Sequence, residues 1–316
     1  MSSTQNRKKK LRNIFLVPLI GLVLLQSVLL LSMLFFSSVK STLENNATET
    51  DAHILENRQT ALENTMLRDW GSLKEESREC FITLSKFLDK QEISVQDFLS
   101  EKELQVEYLQ QIFPEVLKTV QQRNVSGGFL VLANDTPVEE AADYCGFFIR
   151  DLDPSRKTES NTDILMERGN KTLSVEAGIS LDNQWSRNFH LAGNGKRSAD
   201  DFYYIPYEAG ITYPDVDMVN LGYWSSPFVL EGNAMDSHYM ITYSLPLVCD
   251  GTIYGVLGTE ISLGYIDDYL DVNELDPDLK AGYAMVKNQG DATYQCVLGK
   301  GTLYESVLRE GESVQQ

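Results

Sequence analysis

The sequence predicts an α+β protein. A long N-terminal membrane and stalk helix is followed by an antiparallel sheet and by the start of a second, smaller module. Three observations carry this. Residues 14–39 contain no charged side chain and are dominated by Leu, Val, Ile and Phe. Beyond Lys40, apolar residues recur at three-, four- and seven-residue steps. Residues 239–263 form two apolar runs interrupted by Asp250-Gly251, a dipeptide that accepts the positive φ of a two-residue hairpin turn.

In chain order, residues 1–13 form a basic cytoplasmic tail, with Arg7, Lys8, Lys9, Lys10 and Arg12 ahead of the apolar run. About 20 apolar residues suffice to cross a bilayer as a helix, so residues 14–39 are long enough, and Pro18 and Gly21 are tolerated there. The positive-inside rule places the tail in the cytoplasm and everything after Lys40 outside, as a single-pass cell-membrane protein. A cleavable signal peptide has a shorter apolar core and ends in small residues. Here Phe35, Phe36, two serines, Val39 and Lys40 follow, which favours an uncleaved anchor.

The first 40 residues hold six Lys or Arg and no acid, whereas the rest carries 21 basic and 46 acidic side chains, a formal charge of −25. That excludes nucleic acid as a partner for the external part. Four cysteines, Cys80, Cys145, Cys249 and Cys296, show no C-x-x-C pair and no metal-ligand spacing with histidine, so neither zinc nor any other cofactor is expected. An oxidising exterior permits disulfides, and four cysteines allow three full pairings, among which the sequence does not choose.

Residues 41–122 are expected to be helical. Leu55, Leu62, Met66, Trp70, Leu73, Cys80, Leu84, Phe87 and Leu88 fall along one side of a long helix, as core packing, a dimer seam, or both. A second helix starts near Ser94 or Ser100, and Ser100 with Glu103 fits a capping box. Asn124 to Gly128 should end it with residues tolerant of positive φ, before Phe129 opens the first clear strand.

Residues 123–270 are expected to hold the main sheet. Residues 146–150 are a strand, 164–169 a short helix closed by glycine, and 182–214 an irregular, aromatic stretch with Trp185, Phe189, Phe202, Tyr203, Tyr204, Tyr207 and Tyr213. Such rings line a cleft or pack beneath loops. In the hairpin, Ile241, Tyr243, Leu245 and Leu247 share one strand face, and Gly255 and Gly258 signal a bulge or a close neighbour. Glu260 stands among apolar residues. Inward, its carboxylate needs a partner; outward, it faces water on an edge strand, and alternation alone leaves both open. Residues 264–270 form a short helix and 271–280 an acidic linker. Residues 281–286 and 292–297 are the first strands of a further sheet, with Asn288, Gln289 and Gly290 as the turn.

The YWSSPF, ITYSLPL and GVLGTEISL segments, with ILMERGNKTLSVEAGISLDNQW and DDFYYIPYEAG upstream, resemble a double Cache domain, the extracytoplasmic sensor of bacterial membrane-anchored signalling receptors, in its Gram-positive form. The resemblance covers most of residues 42–316. It implies a PAS-like antiparallel sheet as the distal, ligand-binding module at 123–270, and an incomplete membrane-proximal module at 271–316. That module needs more strands and a second membrane helix, so the chain is expected to be a truncated reading frame or the front of a longer receptor whose output module, a histidine kinase or a diguanylate cyclase among others, lies elsewhere. It also implies a homodimer through the long helix.

Sensors of this kind that bind amino acids present an Arg with a Trp-Tyr pair, then a Tyr and an Asp, and an Asp on the last strand. Only the last has a counterpart here, as Glu260. The segment from Asp200 to Tyr204 lacks the Arg that would clamp a carboxylate, and Phe228 and Leu230 stand where Tyr and Asp belong. The candidate ligand-binding residues are therefore Tyr204, Tyr207, Trp224, Tyr243 and Glu260, suited to an amine-bearing or neutral polar molecule. The chain itself is not expected to be an enzyme. The alternative is a membrane-anchored extracellular hydrolase using paired carboxylates, but there is no G-x-S-x-G or H-E-x-x-H, and His53, His190 and His238 form no catalytic constellation. A eukaryotic type II membrane protein is a third possibility, from N-x-[ST] triplets at Asn46, Asn124, Asn134 and Asn170.

Overall fold

The computed structural model describes residues 2–156, 161–230, 239–275, 281–290, 292–301 and 313–315. The chain divides into two units, residues 1–57 with 273–281, and residues 58–272 with 282–316. Helix α1, Ser2–Thr65, takes in the basic tail, the apolar run and the stalk without a break, a length of about 95 Å at the usual helical rise. Its side chains from Leu19 to Phe36 are almost all exposed. Among the described residues, this is the helix long and apolar enough to cross a membrane.

The long apolar stripe does not lie on one helix. Helix α1 passes into a π-helical turn, Met66–Trp70, and the chain breaks before helix α2, Lys74–Gln91. Local periodicity runs through this point, and tertiary contacts override it. A Cβ on Gly71 would lie 3.5 Å from the Trp224 ring and 3.7 Å from that of Tyr243. Arg123 donates to the Ser72 carbonyl and pairs with Glu76 at 2.5 Å. The break divides the stripe: Trp70, Leu73, Cys80, Leu84, Phe87 and Leu88 are buried, whereas Leu55 is exposed and Leu62 and Met66 are half-buried.

Helix α3, Val95–Ser100, is opened by Ser94 and Asp97, each accepting from the other's backbone N–H. Ser100 is the last residue of α3, and α4, Lys102–Gln122, begins at Glu101 with no side-chain cap. The capping box therefore belongs to Ser94 and not to Ser100. Gly127 and Gly128 do not cap α4 either. They take no positive φ and open strand β1, Gly127–Leu132.

The strands that follow are β2, Ala142–Tyr144, β3, Gly146–Asp151, and β4, Ile164–Arg168. Helix α5, Lys171–Ala177, leads to β5, Ser180–Ser186, and β6, Phe189–Leu191, before helix α6, Asp201–Thr212. Strand β7, Tyr223–Trp224, precedes the hairpin of β8, Met240–Cys249, and β9, Thr252–Ser262, and helix α7 is Leu263–Asp267. Two expectations are corrected here. Residues 164–168 form a strand, held between β3 and β5, and the stretch from 182 to 214 contains β5, β6 and α6.

The main sheet runs β5-β4-β3-β1-β9-β8-β7 and is antiparallel except for the β4–β5 pair, which α5 connects in parallel. Asp250 and Gly251 turn the hairpin at φ 50° and 74°, as the sequence predicts. Pro246 is tolerated in β8 because the short β7 pairs only with Tyr243 and Ser244. A second sheet, β10-β11-β12, is formed by Gly282–Gly290, Thr293–Gly301 and Ser313–Gln315. Residues 276–280 of the expected linker lie outside the described residues.

Each face of the main sheet has its own cover. On one, α4 packs Phe113 against Phe147 at 4.9 Å, and Val116 and Val120 press on Gly128. On the other, α6 packs Phe202 against Phe129 at 5.1 Å and stacks it on Phe228 at 5.4 Å. A buried core of Phe129, Val131, Phe148, Phe189, Phe202, Tyr203, Met240 and Val256 fills the α6 side.

Candidate functional site

Directly paired residues of an antiparallel sheet share a face, and register therefore assigns each candidate side chain to one side. Glu260 pairs with Thr242 on β8 and with Gly127 on β1, in step with Gly258 and Ser244, whose hydroxyl donates to the Phe202 carbonyl of α6 at 2.7 Å. Glu260 is thus on the α6 face and fully buried, which settles the choice between inward and outward. Tyr243 pairs with Thr259 and Trp224 on the opposite face, where its ring lies 5.2 Å from that of Trp224 and beside Gly71. Thr259 on this side donates to the Trp70 carbonyl at 2.8 Å.

Tyr204 and Tyr207 ride on α6. Tyr204 is buried and its ring meets Tyr203 at 5.1 Å, while Tyr207 stacks on Tyr203 at 5.5 Å. Burial, with the neighbouring Tyr144 hydroxyl, holds the Tyr204 phenol well above its usual range. The structure therefore brings Trp224 and Tyr243 together, and places Tyr204 and Tyr207 on one helix, but it does not bring the five candidates to one point. The sheet itself separates Trp224 and Tyr243 from Glu260.

A cavity of about 220 Å³ opens on the α6 side, and none of the five lines it. Its walls come from β4 and β5 (Arg168, Gln184, Ser186), from the turn and strand that follow (Asn188, Phe189, His190, Leu191), and from the approach to α6 (Arg197, Ala199, Asp200), with Leu230 at one side. The segment from Asp200 to Tyr204 holds no Arg, but Arg197 stands three residues before it. It holds the Asp200 carboxylate through Nε and Nη2, at 3.1 and 2.8 Å, and donates to the His190 carbonyl. Asp200 also accepts from the Ala192 N–H at 2.9 Å. Arg168 is buried in the opposite wall, its Nη1 donating to the carbonyls of Glu167 and Gln184.

Beneath this cavity lies an ionic cluster. Arg150 pairs through Nε with Glu167 at 3.0 Å and through Nη2 with Asp182 at 3.3 Å. Gly127 lies in register between Arg150 and Glu260, and any side chain on it would overlap the Glu260 carboxylate. Burial pushes the Glu167 carboxyl up to about 7, with Arg150 opposing and the charges of Glu260 and Asp182 adding to the rise. The sequence singles out Glu260 of this cluster but not Arg150 or Glu167. Their signal was a charged residue closing an apolar strand, as in Gly146–Asp151 and Ile164–Arg168. Among the described residues, no three His, Cys, Asp or Glu side chains are placed to hold a metal ion.

No family model and no curated protein matches the sequence. Among solved structures, the chain is similar to the extracellular domain assigned to the histidine kinase soHK1S-Z6 (15% identity, TM-score 0.28, 69% of this chain and 66% of that one). It is also similar to the sensory domain of the Campylobacter jejuni chemoreceptor Tlp3 (14%, 0.30, 71% and 66%). A third is the extracellular domain assigned to the histidine kinase mmHK1S-Z3 (12%, 0.22, 65% and 67%). The chain spans just under two thirds of the first two. The α+β class rests on the sheet described above, with its separate covers of α4 and α6.

Proposed function

We propose that the chain is the extracytoplasmic small-molecule sensor region of a membrane-anchored bacterial signalling receptor, and that the cavity between β4, β5, β6 and α6 is its ligand site. The cavity carries the proposal. It is a partly enclosed space of about 220 Å³ with guanidinium, amide, hydroxyl and imidazole groups converging on it beside Phe189, Leu191 and Leu230. The apolar helix and the basic residues before it support an anchor with a cytoplasmic N-terminus.

The lining favours a polar guest rich in hydrogen-bond acceptors over an ammonium group, because the one carboxylate present, Asp200, is already held by Arg197. Glu260, the acid offered for an amine, is closed off in the ionic cluster. The same burial counts against a hydrolase built on paired carboxylates, since Glu167 and Glu260 have no exposure through which to reach a substrate. In signalling, a bound ligand shifts the balance between two arrangements of the module. The hydrogen bond from Thr259 to Trp70 carries the change from β9 to the helical segment on the far face.

The test is a thermal-shift screen of the full chain in nanodiscs against amino acids, amines, purines, sugars and carboxylates, since a ligand that binds only the folded state raises Tm. A hit that Ser186→Trp removes and Glu260→Gln leaves in place supports the cavity. The reverse pattern moves the site to Glu260, and a folded protein that no class stabilises rejects direct small-molecule sensing.

A further inference from the structure

A second cavity, of about 350 Å³, lies at the turn end of the β8–β9 hairpin, and none of its lining comes from α6. Its walls are the C-terminal end of α2, the start of α3 and the hairpin turn. Chain reversals build it. Glu92 ends α2 in the left-handed conformation at φ 56°, Ser94 opens α3 two residues later, and Asp250 and Gly251 turn the hairpin. Gln96 of α3 donates to the Thr252 hydroxyl at 3.1 Å and ties the helical wall to the strand wall.

Leu88, Val95 and Cys249, all buried, give the lining an apolar floor. Burial pushes the Cys249 thiol up, so it stays neutral near pH 7 and serves as part of that floor. The charged part of the lining has one sign. Asp89 comes from the last turn of α2 and Asp250 from the hairpin turn. Both are exposed, and neither carboxylate makes a hydrogen bond or ion pair with another described residue. No Lys, Arg or His is in the lining, and Lys86 and Lys90 stand on α2 outside it. The C-terminus of the 18-residue α2 adds the negative end of its dipole, about half a charge.

We propose that this second cavity binds an organic ammonium cation, a short alkyl diamine whose carbon chain lies on Leu88, Val95 and Cys249 and whose ammonium groups meet Asp89 and Asp250. A metal ion fits less well, since the floor offers it nothing and no three His, Cys, Asp or Glu among the described residues are placed to hold one. An acid meets two like charges. The diamine spans α2 and the hairpin turn, so its binding fastens the helical cover to the strand pair, as an input separate from the cavity lined by Arg168 and Arg197.

The test is isothermal titration calorimetry of the full chain in nanodiscs of neutral lipid. Cadaverine is the probe, glutarate its acidic counterpart of equal length, and empty nanodiscs the blank. Cadaverine should bind saturably and glutarate should not. Asp89→Asn and Asp250→Asn should each weaken cadaverine about threefold, and together about tenfold, the size expected of exposed ion pairs. Asn tolerates the left-handed φ of residue 250, so the turn persists. Gln96→Trp, which fills the opening from an exposed position, should abolish binding, and Ser186→Trp in the first cavity should leave it unchanged. No saturable cadaverine binding to wild type, equal binding of glutarate, an unchanged affinity in the double Asn variant, or binding that survives Gln96→Trp overturns the proposal. Binding that Ser186→Trp removes does so too, by placing the amine in the first cavity.

Discussion

Gly127 stands in register between Arg150 and Glu260, where an added methyl group would overlap both the Glu260 carboxylate and the Ile149 carbonyl. Gly127→Ala should therefore destabilise the protein by roughly 1–3 kcal/mol, the usual range for overpacking, as read by chemical denaturation. On the opposite face, Thr259→Val removes the bond to the Trp70 carbonyl at nearly constant shape and should cost about 1 kcal/mol, whereas Thr259→Ser should retain most of it. Glu260 shows how far a single residue can be understood from sequence. Its apolar neighbours marked it as unusual, but a period of two fits either face equally well. Only the pairing with Gly127 and Thr242 places it inside.

At the scale of elements, what was legible was what is locally encoded. The hairpin follows from Asp250-Gly251, and β1, β3, β8 and β9 from runs of apolar and β-branched residues. Residues 164–169 read as a helix because Leu, Met, Glu and Arg favour helices; pairing of β4 with β3 and β5 imposes the extended form. The segment of helix α6 reads as irregular chain because aromatic residues and Pro206 give little helical signal, and its packing on the sheet supplies what propensity does not. The candidate site was less legible than the fold, since the cavity draws on β4, β5, β6 and the approach to α6, which only the topology assembles. The cap of α3 gives a direct check. Ser94→Ala should cost about 1 kcal/mol and lower Tm, while Ser100→Ala, which removes only a bond from the last residue of α3 to the Asp97 carbonyl, should have a much smaller effect.

Across the whole molecule, the sequence left three disulfide pairings open, and the structure buries all four cysteines with no disulfide among the described residues. Burial pushes the Cys80 thiol up to about 12, so it stays protonated and unreactive near neutral pH. An alkylating reagent at pH 8 should label none of the four in the native chain and all four after denaturation. That leaves a quiet background for an engineered Leu55→Cys on the exposed stalk. If the stalk pairs with a second copy, oxidation should yield a crosslinked dimer, and no crosslink at Leu55 or at neighbouring positions one helical turn away would count against a stalk dimer.

Thr259 and Glu260 are consecutive residues of β9, and the peptide plane between them is common to both. One side chain grips the backbone at Trp70, and the other sits in the charged interior under the cavity. The central strand is in this respect a diaphragm, a thin wall whose two surfaces cannot move independently. A tilt of that single peptide, driven from the charged side, displaces the Thr259 hydroxyl that donates to the Trp70 carbonyl on the other, and no rearrangement of the sheet is needed to deliver the push.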